Sequence, residues 1–307
     1  MKLRREPMEG DMLVLDDDSL WMVKGCYHPQ GYVVATPRYV RGRKLKRYRE
    51  AMEYVHRYYR HYIKYVPEVG SYVPLIPLDN VKKIMHALDF RCELIRFEKL
   101  RRLCSELINL ITGSCNLRCG VTGSLLGGYY SITSDIDIVC LDKKGAYECL
   151  KKLREDGLLR RLDYWKVLHE LIDVSEILDI KSHLRSFRWK VLQGEFQGVS
   201  YTIRVIECSR LNDLLGPYIT CVISPKVIGI VEHLDYRTPA IYRVNVLKAI
   251  GCESLLSHNH DVIALSHRIR FTELPKGSLL DITNAYVCIK DKIALINLDL
   301  SSHVLIA

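Results

Sequence analysis

Asp135 and Asp137 stand one residue apart in Ser134-Asp-Ile-Asp-Ile-Val139, and ten residues separate the first of them from Ser124 of a Gly123-Ser124 pair. Acid and apolar residues alternate from Asp135 to Val139, as in a half-buried strand, and that period puts both carboxylates on one face. Two acids so close repel each other unless a cation lies between them. A hard ion such as Mg²⁺, which takes one or two carboxylates together with phosphate oxygens, suits the pair. Gly123 has no Cβ to hold a ligand away, Ser124 adds a hydroxyl donor, and the N–H groups at the start of a helix attract anionic oxygens. Gly123, Ser124 and Ser134 are therefore the candidate nucleotide-contacting residues, beside metal candidates Asp135 and Asp137.

These residues need a short buried strand over Cys119–Thr122, a sharp turn at Gly123-Ser124, a helix, and a second strand carrying the acids. With that order the stretch resembles the DNA polymerase β superfamily of nucleotidyltransferases, whose signature is a Gly-Ser turn followed at about this distance by Asp-x-Asp on a strand. The resemblance implies an α+β fold, with a polymerase-β-like core of mixed sheet and helices. It implies that the turn holds the outer phosphates of an NTP, that Asp135 and Asp137 hold two Mg²⁺ ions, and that a third acid on a later strand completes the set. Glu207 is the best placed, at the end of the apolar row Tyr201, Ile203 and Val205; Asp179 is the rival, and a salt bridge from Glu207 to an arginine is the structural alternative. An acid closing an apolar row needs a metal or a basic neighbour, because an unpaired buried carboxylate is costly. Taken whole, the chain is similar to an archaeal group of predicted nucleotidyltransferases, which implies no particular acceptor.

Length and composition agree with an ordinary globular protein: 307 residues, 48% apolar and 26% charged. The net charge of +9 favours a polyanionic partner. No stretch approaches a membrane span, and the N-terminus has no apolar signal core, so a cytoplasmic protein is expected. Eleven cysteines without a signal segment read as reduced and mostly buried. Cys115 and Cys119 form a C-x3-C pair without a second pair at zinc spacing, and His258-Asn-His260 is far off in sequence. Gln occurs only three times, a hint of a thermophilic source, in which intracellular disulfides become possible.

From Arg38 to Lys64 the chain holds ten Lys or Arg, two acids (Glu50 and Glu53) and six tyrosines. Cations neutralise phosphates and rings stack on unpaired bases, so RNA or another nucleic-acid end is the expected partner. An amphipathic helix over 45–66 that buries its tyrosines is the alternative. Strands are expected within 11–40, with Asp16-Asp17-Asp18 at a turn and His28 in a loop. A connector over 67–78, helices near 81–88, 92–112 and 146–155, and an antiparallel pair within 187–208 follow. Arg185, Arg188, Lys190 and Arg204 are candidate triphosphate ligands. After residue 215 five Val/Ile-rich runs predict a small β-barrel, OB-like, or an open sheet. The expected divisions are an N-terminal strand region with its basic Tyr-rich helix at 1–78, a catalytic domain at 79–215 and a β-rich domain at 216–307. The readings kept beside nucleotidyl transfer to a nucleic-acid end are a non-catalytic nucleic-acid-binding protein on the same fold and a small-molecule nucleotidylyltransferase.

Overall fold

In the computed structural model, residues 5–174, 176–256 and 261–307 are described, and the chain forms two compact units. The first gathers residues 1–64, 73–163 and 190–208, the second 65–72, 164–189 and 209–307. The N-terminal strands thus share one unit with the Gly-Ser and Asp-x-Asp elements, and no division falls at residue 78. His258 and His260 lie outside the described residues.

The first unit contains two sheets. In one, β1 (Met12–Leu15), β2 (Leu20–Val23) and β3 (Tyr32–Val40) form an antiparallel meander, with β4 (Arg43–Lys44) folded back on β3. The β3–β4 turn has left-handed φ at Arg41 and Gly42, 48° and 78°, the signature of a tight hairpin whose twist matches its strands. After α1 (Tyr48–Tyr58) and β5 (Ile63–Val66), β6 (Ser71–Pro77) pairs with β3 and β7 (Val81–Met85) with β1. Period two divides this sheet cleanly. Leu13, Leu15, Trp21 and Val23 pack with Val55 and Tyr62 on one side; Met12, Leu20, Met22 and Tyr39 pack on the other with Leu126, Val139 and Ile206 of the second sheet and its helix. That is why β2 is buried along its whole length.

The second sheet runs β10 (Gln193–Phe196), β11 (Val199–Ile206), β9 (Ile136–Leu141), β8 (Cys119–Val121), with β9 and β11 parallel and the other pairs antiparallel. Between β8 and β9 lies α3 (Gly123–Gly127); α2 (Glu98–Cys115) and α4 (Ala146–Glu155) pack against each other. This is a mixed sheet with helices, as expected, and α4 covers the expected 146–155.

Three elements depart from expectation. Residues 81–85 form strand β7 rather than a helix, because an edge of β1 is open to pair and the buried Asp11 carboxylate accepts the Ala87 N–H at 2.9 Å just beyond. The helix expected from 45 to 66 is only α1, since the backbone turns at Tyr59 and enters β5. The 67–78 connector is largely β6.

In the second unit, α5 (Tyr164–Val174) and α6 (Ile180–Ser186) are helices, and Asp179, the rival acid expected on a strand, stands at the start of α6. Its strands are β12 (Thr220–Val231), a two-residue β13 (Arg237–Thr238), β14 (Ala240–Ile250), β15 (Asp261–Ser266), β16 (Leu279–Lys290), β17 (Ile293–Asn297) and β18 (His303–Ile306). They close a five-stranded barrel in the order β12-β14-β15-β17-β16 and back to β12, with β15 and β17 the parallel pair. Along β16 the buried set changes from Leu280 and Ile282 to Ala285 and Val287, with Asn284 at a φ of 48° between them, while the register with β12 runs on without a shift.

The cysteines are not reduced. Five disulfides join Cys26–Cys208, Cys92–Cys104, Cys115–Cys149, Cys119–Cys140 and Cys221–Cys288, and Cys252 alone is free and buried. Local spacing could not reveal this, because the partners come from different elements: Cys119 faces Cys140, and Cys221 faces Cys288, across antiparallel ladders with Cα atoms 4.0 and 4.1 Å apart. Cys115 and Cys119, read together, have separate partners. No helix among the described residues is long and apolar enough to cross a membrane. A cytoplasmic setting, given these bridges, requires the hyperthermophile exception to the rule that cytosolic thiols stay reduced.

Candidate functional site

The turn meets Asp137 of the strand. Gly123 has a φ of 65°, and a Cβ built on it would lie 2.0 Å from Oδ2 of Asp137 and 2.8 Å from its Cγ. The space that any other side chain needs is filled by the carboxylate. The Thr122 N–H donates to the Asp137 carbonyl at 2.9 Å, which fixes the two segments side by side. Ser124, buried, opens α3 and belongs to the first turn, whose N–H groups lack intrahelical acceptors. Asp137 is half-buried on β9, and Asp135 is exposed just before that strand. Ser134 is turned into its own loop, its hydroxyl accepting the Ser131 N–H at 2.9 Å.

Glu207 is not beside them. In the parallel β9–β11 ladder Asp137 is the register partner of Thr202, five residues before Glu207. At the strand rise of about 3.3 Å per residue, Glu207 is displaced by roughly 16 Å along the sheet. The apolar row was read correctly, but its acid closes the carboxyl end of β11, while the aspartates open the amino end of β9. Thr202, not a carboxylate, is Asp137's neighbour. Asp179 is spoken for: it caps α6, accepting the Ser182 N–H at 2.8 Å, and that bond holds its carboxyl below the ordinary value. Among the described residues no group of three His, Cys, Asp or Glu is arranged to hold a metal. Of the three acids that the resemblance implies, Asp135 and Asp137 lie at the amino end of β9 and Glu207 at the far end of β11.

The N-terminal sheet supplies groups that the motif alone does not name. Tyr39 of β3 is 2% exposed; the Cβ position of Gly127 is 3.5 Å from its ring, and it stacks on Tyr129 with centroids 4.4 Å apart and planes 10° from parallel. Desolvation raises its phenol pKa, with Asp137 and Tyr129 adding to the effect and Arg38 opposing it. Lys44 is the cross-strand partner of Tyr39, so it shares the face turned towards Asp137. Desolvation and then repulsion from Arg38 lower the Lys44 ammonium pKa, while Asp137 and Asp135 pull it up. Lys44 and Tyr39 were counted only as part of a basic, aromatic run; the Arg41-Gly42 hairpin is the signal that would have aimed them. Tyr129 lies between the Gly-Ser turn and the Asp-x-Asp strand, directly after Gly128, which caps α3.

The other candidates have structural partners. Arg204 lies 3.9 Å from the buried Glu9. His28 accepts the Val34 N–H at Nδ1 and so donates from Nε2 to the Pro7 carbonyl, as a neutral imidazole. Asp17 is taken up by Ser19 and by the Tyr59 hydroxyl. Of the tyrosines at 54–62, Tyr59 and Tyr62 pack around Trp21, while Tyr58 stays 49% exposed with Arg57 over its ring. No family model, curated protein or solved structure matches the chain.

Proposed function

We propose that the chain is a metal-dependent nucleotidyltransferase, moving a nucleoside monophosphate from an NTP to a hydroxyl, with an RNA or other nucleic-acid end as the favoured acceptor. The observation that carries this reading is the Asp137 carboxylate filling the Cβ space of Gly123, which puts a cation-binding acid against a turn suited to phosphate. A Mg²⁺ ion held by Asp135 and Asp137 would neutralise the triphosphate and the charge that develops on the departing pyrophosphate. The turn N–H groups and the Ser124 hydroxyl bind the outer phosphates, and Lys44, cross-strand from Tyr39, adds a positive charge. No protein nucleophile is needed. The net charge of +9, the exposed Arg57–Tyr58 pair and the closed barrel, whose strand order is that of an OB-type Greek key, support a polyanionic acceptor.

Transfer of label from α-³²P NTPs into RNA, dependent on Mg²⁺ and abolished by Asp135→Asn and Asp137→Asn, is the expected result. Undiminished transfer in either variant would refute the assignment. One observation favours a second reading, a nucleic-acid-binding protein without turnover: Thr202, and not a carboxylate, is the register partner of Asp137 on β11. RNA binding that is steeply salt-dependent, indifferent to Mg²⁺ and NTP, and accompanied by no transfer would select it.

A further inference from the structure

Tyr129 is a large aromatic side chain that is 41% exposed beside a site otherwise made of charges and backbone. Its position is not loose. It follows Gly128, whose φ of 76° ends α3 in the left-handed conformation, and its N–H donates to the Ser124 carbonyl at 3.0 Å, so the residue is tied to the turn itself. One face of the ring is backed by Tyr39, 4.4 Å away and nearly parallel. Tyr39 is in turn buried in the core between the sheets, its ring 3.5 Å from where a Cβ on Gly127 of α3 would lie, and in one cluster with Met12 and Leu20. An exposed ring held flat against a buried one has its orientation already determined, so a second planar group stacking on it loses little further freedom. From Gly123, where Asp137 sits, to the end of α3 is about 7 Å at 1.5 Å per residue, the scale of the ribose and first phosphate that separate a base from the outer phosphates.

We propose that Tyr129, backed by Tyr39, is the platform for the nucleobase of the nucleotide bound at the Gly123–Asp137 turn, so that the site takes nucleoside triphosphates in preference to bare polyphosphate. This rests on the nucleotidyltransferase reading above. Every base has a π-face, so the platform contributes affinity without choosing strongly among bases. Tyr39 is a positioning residue here, and Tyr129 the one that touches the ligand.

The test is calorimetric titration of the full chain with two probes in Mg²⁺: a non-hydrolysable ATP analogue and inorganic tripolyphosphate. In Tyr129→Ala the analogue should bind roughly 5- to 150-fold more weakly, the range for loss of one base–aromatic stack, while tripolyphosphate binds as before. Tyr129→Trp should retain or improve analogue binding, and both variants should melt at the wild-type temperature because the side chain is substantially exposed. Equal analogue affinity in Tyr129→Ala and wild type would overturn the platform, as would equal losses for both probes. Wild-type protein that binds tripolyphosphate but gains nothing from the base would refute the platform and leave the phosphate site standing. Wild-type protein that binds neither would remove both.

Discussion

Gly123→Ala is the sharpest test of the joint between turn and strand, because one methyl group acts there in two separable ways. The first is backbone strain: at a φ of 65° alanine is held in the left-handed region, at a cost of about 1–2 kcal/mol. The second is collision. The new Cβ would lie 2.0 Å from Asp137 Oδ2, whereas such contacts are essentially never closer than 3.0 Å, so the carboxylate must withdraw by about 1 Å or more. Misplacing a reacting constellation by that distance costs about 10²-fold in rate, or about 2.7 kcal/mol of barrier. Gly128→Ala separates the two effects, since its φ is 76° but no heavy atom lies within 4 Å of its Cβ position. Gly128→Ala should therefore lose about 1–2 kcal/mol in urea denaturation from strain alone, Gly123→Ala at least as much, and only Gly123→Ala should lose Mg²⁺-dependent nucleotidyl transfer. If Gly123→Ala turns over like Gly128→Ala, the contact with Asp137 has no part in function and the reasoning fails.

Other consequences can be checked alongside. Glu207→Gln should change transfer by no more than a few-fold, since the register holds the residue away from Asp137; a collapse of activity in a folded variant would restore it to the site. Removing the Cys26–Cys208 bridge with Cys26→Ser and Cys208→Ser should lower stability in guanidinium by up to about 5 kcal/mol from loop entropy, less whatever the three bridges within that loop already constrain; an unchanged midpoint would show that the pair is not joined in solution. Burial holds His28 below its ordinary value of 6.5, so the unfolded chain takes up a proton first on acidification. That contribution to stability is complete above about pH 6.5 and is lost as pH falls towards the depressed native pKa, and His28→Gln should flatten that part of the stability–pH curve.

The sequence was most legible where chemistry and local geometry coincide. Gly123 and the Asp135/Asp137 alternation could be placed from residue types alone, because a tight turn and a period-two strand leave their marks within a few positions. The barrel strands were visible for the same reason. What stayed hidden was pairing. Glu207 looked right as the end of an apolar row, but whether it opposes Asp137 depends on the parallel register of β9 and β11, and one strand's alternation carries no information about that. Residues 81–85 have helix-compatible composition and become β7 only because β1 offers an unpaired edge. The disulfides escaped because every bridge but Cys92–Cys104 spans more than twenty residues. Tyr129 was in plain view and lacked only its partner Tyr39, ninety residues earlier.

The interleaving of the two units has a consequence for how the protein is made. The first unit takes its last strand from residues 199–206, after the chain has already supplied two segments to the second unit, so neither can be produced by simple truncation. On a ribosome adding about 5–20 residues per second, roughly 10–35 s pass between the emergence of Cys26 and that of its partner Cys208, 182 residues later. During that interval the face of the N-terminal sheet meant for Ile206 stays uncovered. A nascent chain in that condition is a natural client for a chaperone, and an oxidant that acts before residue 208 has emerged would find Cys26 available to the wrong thiol.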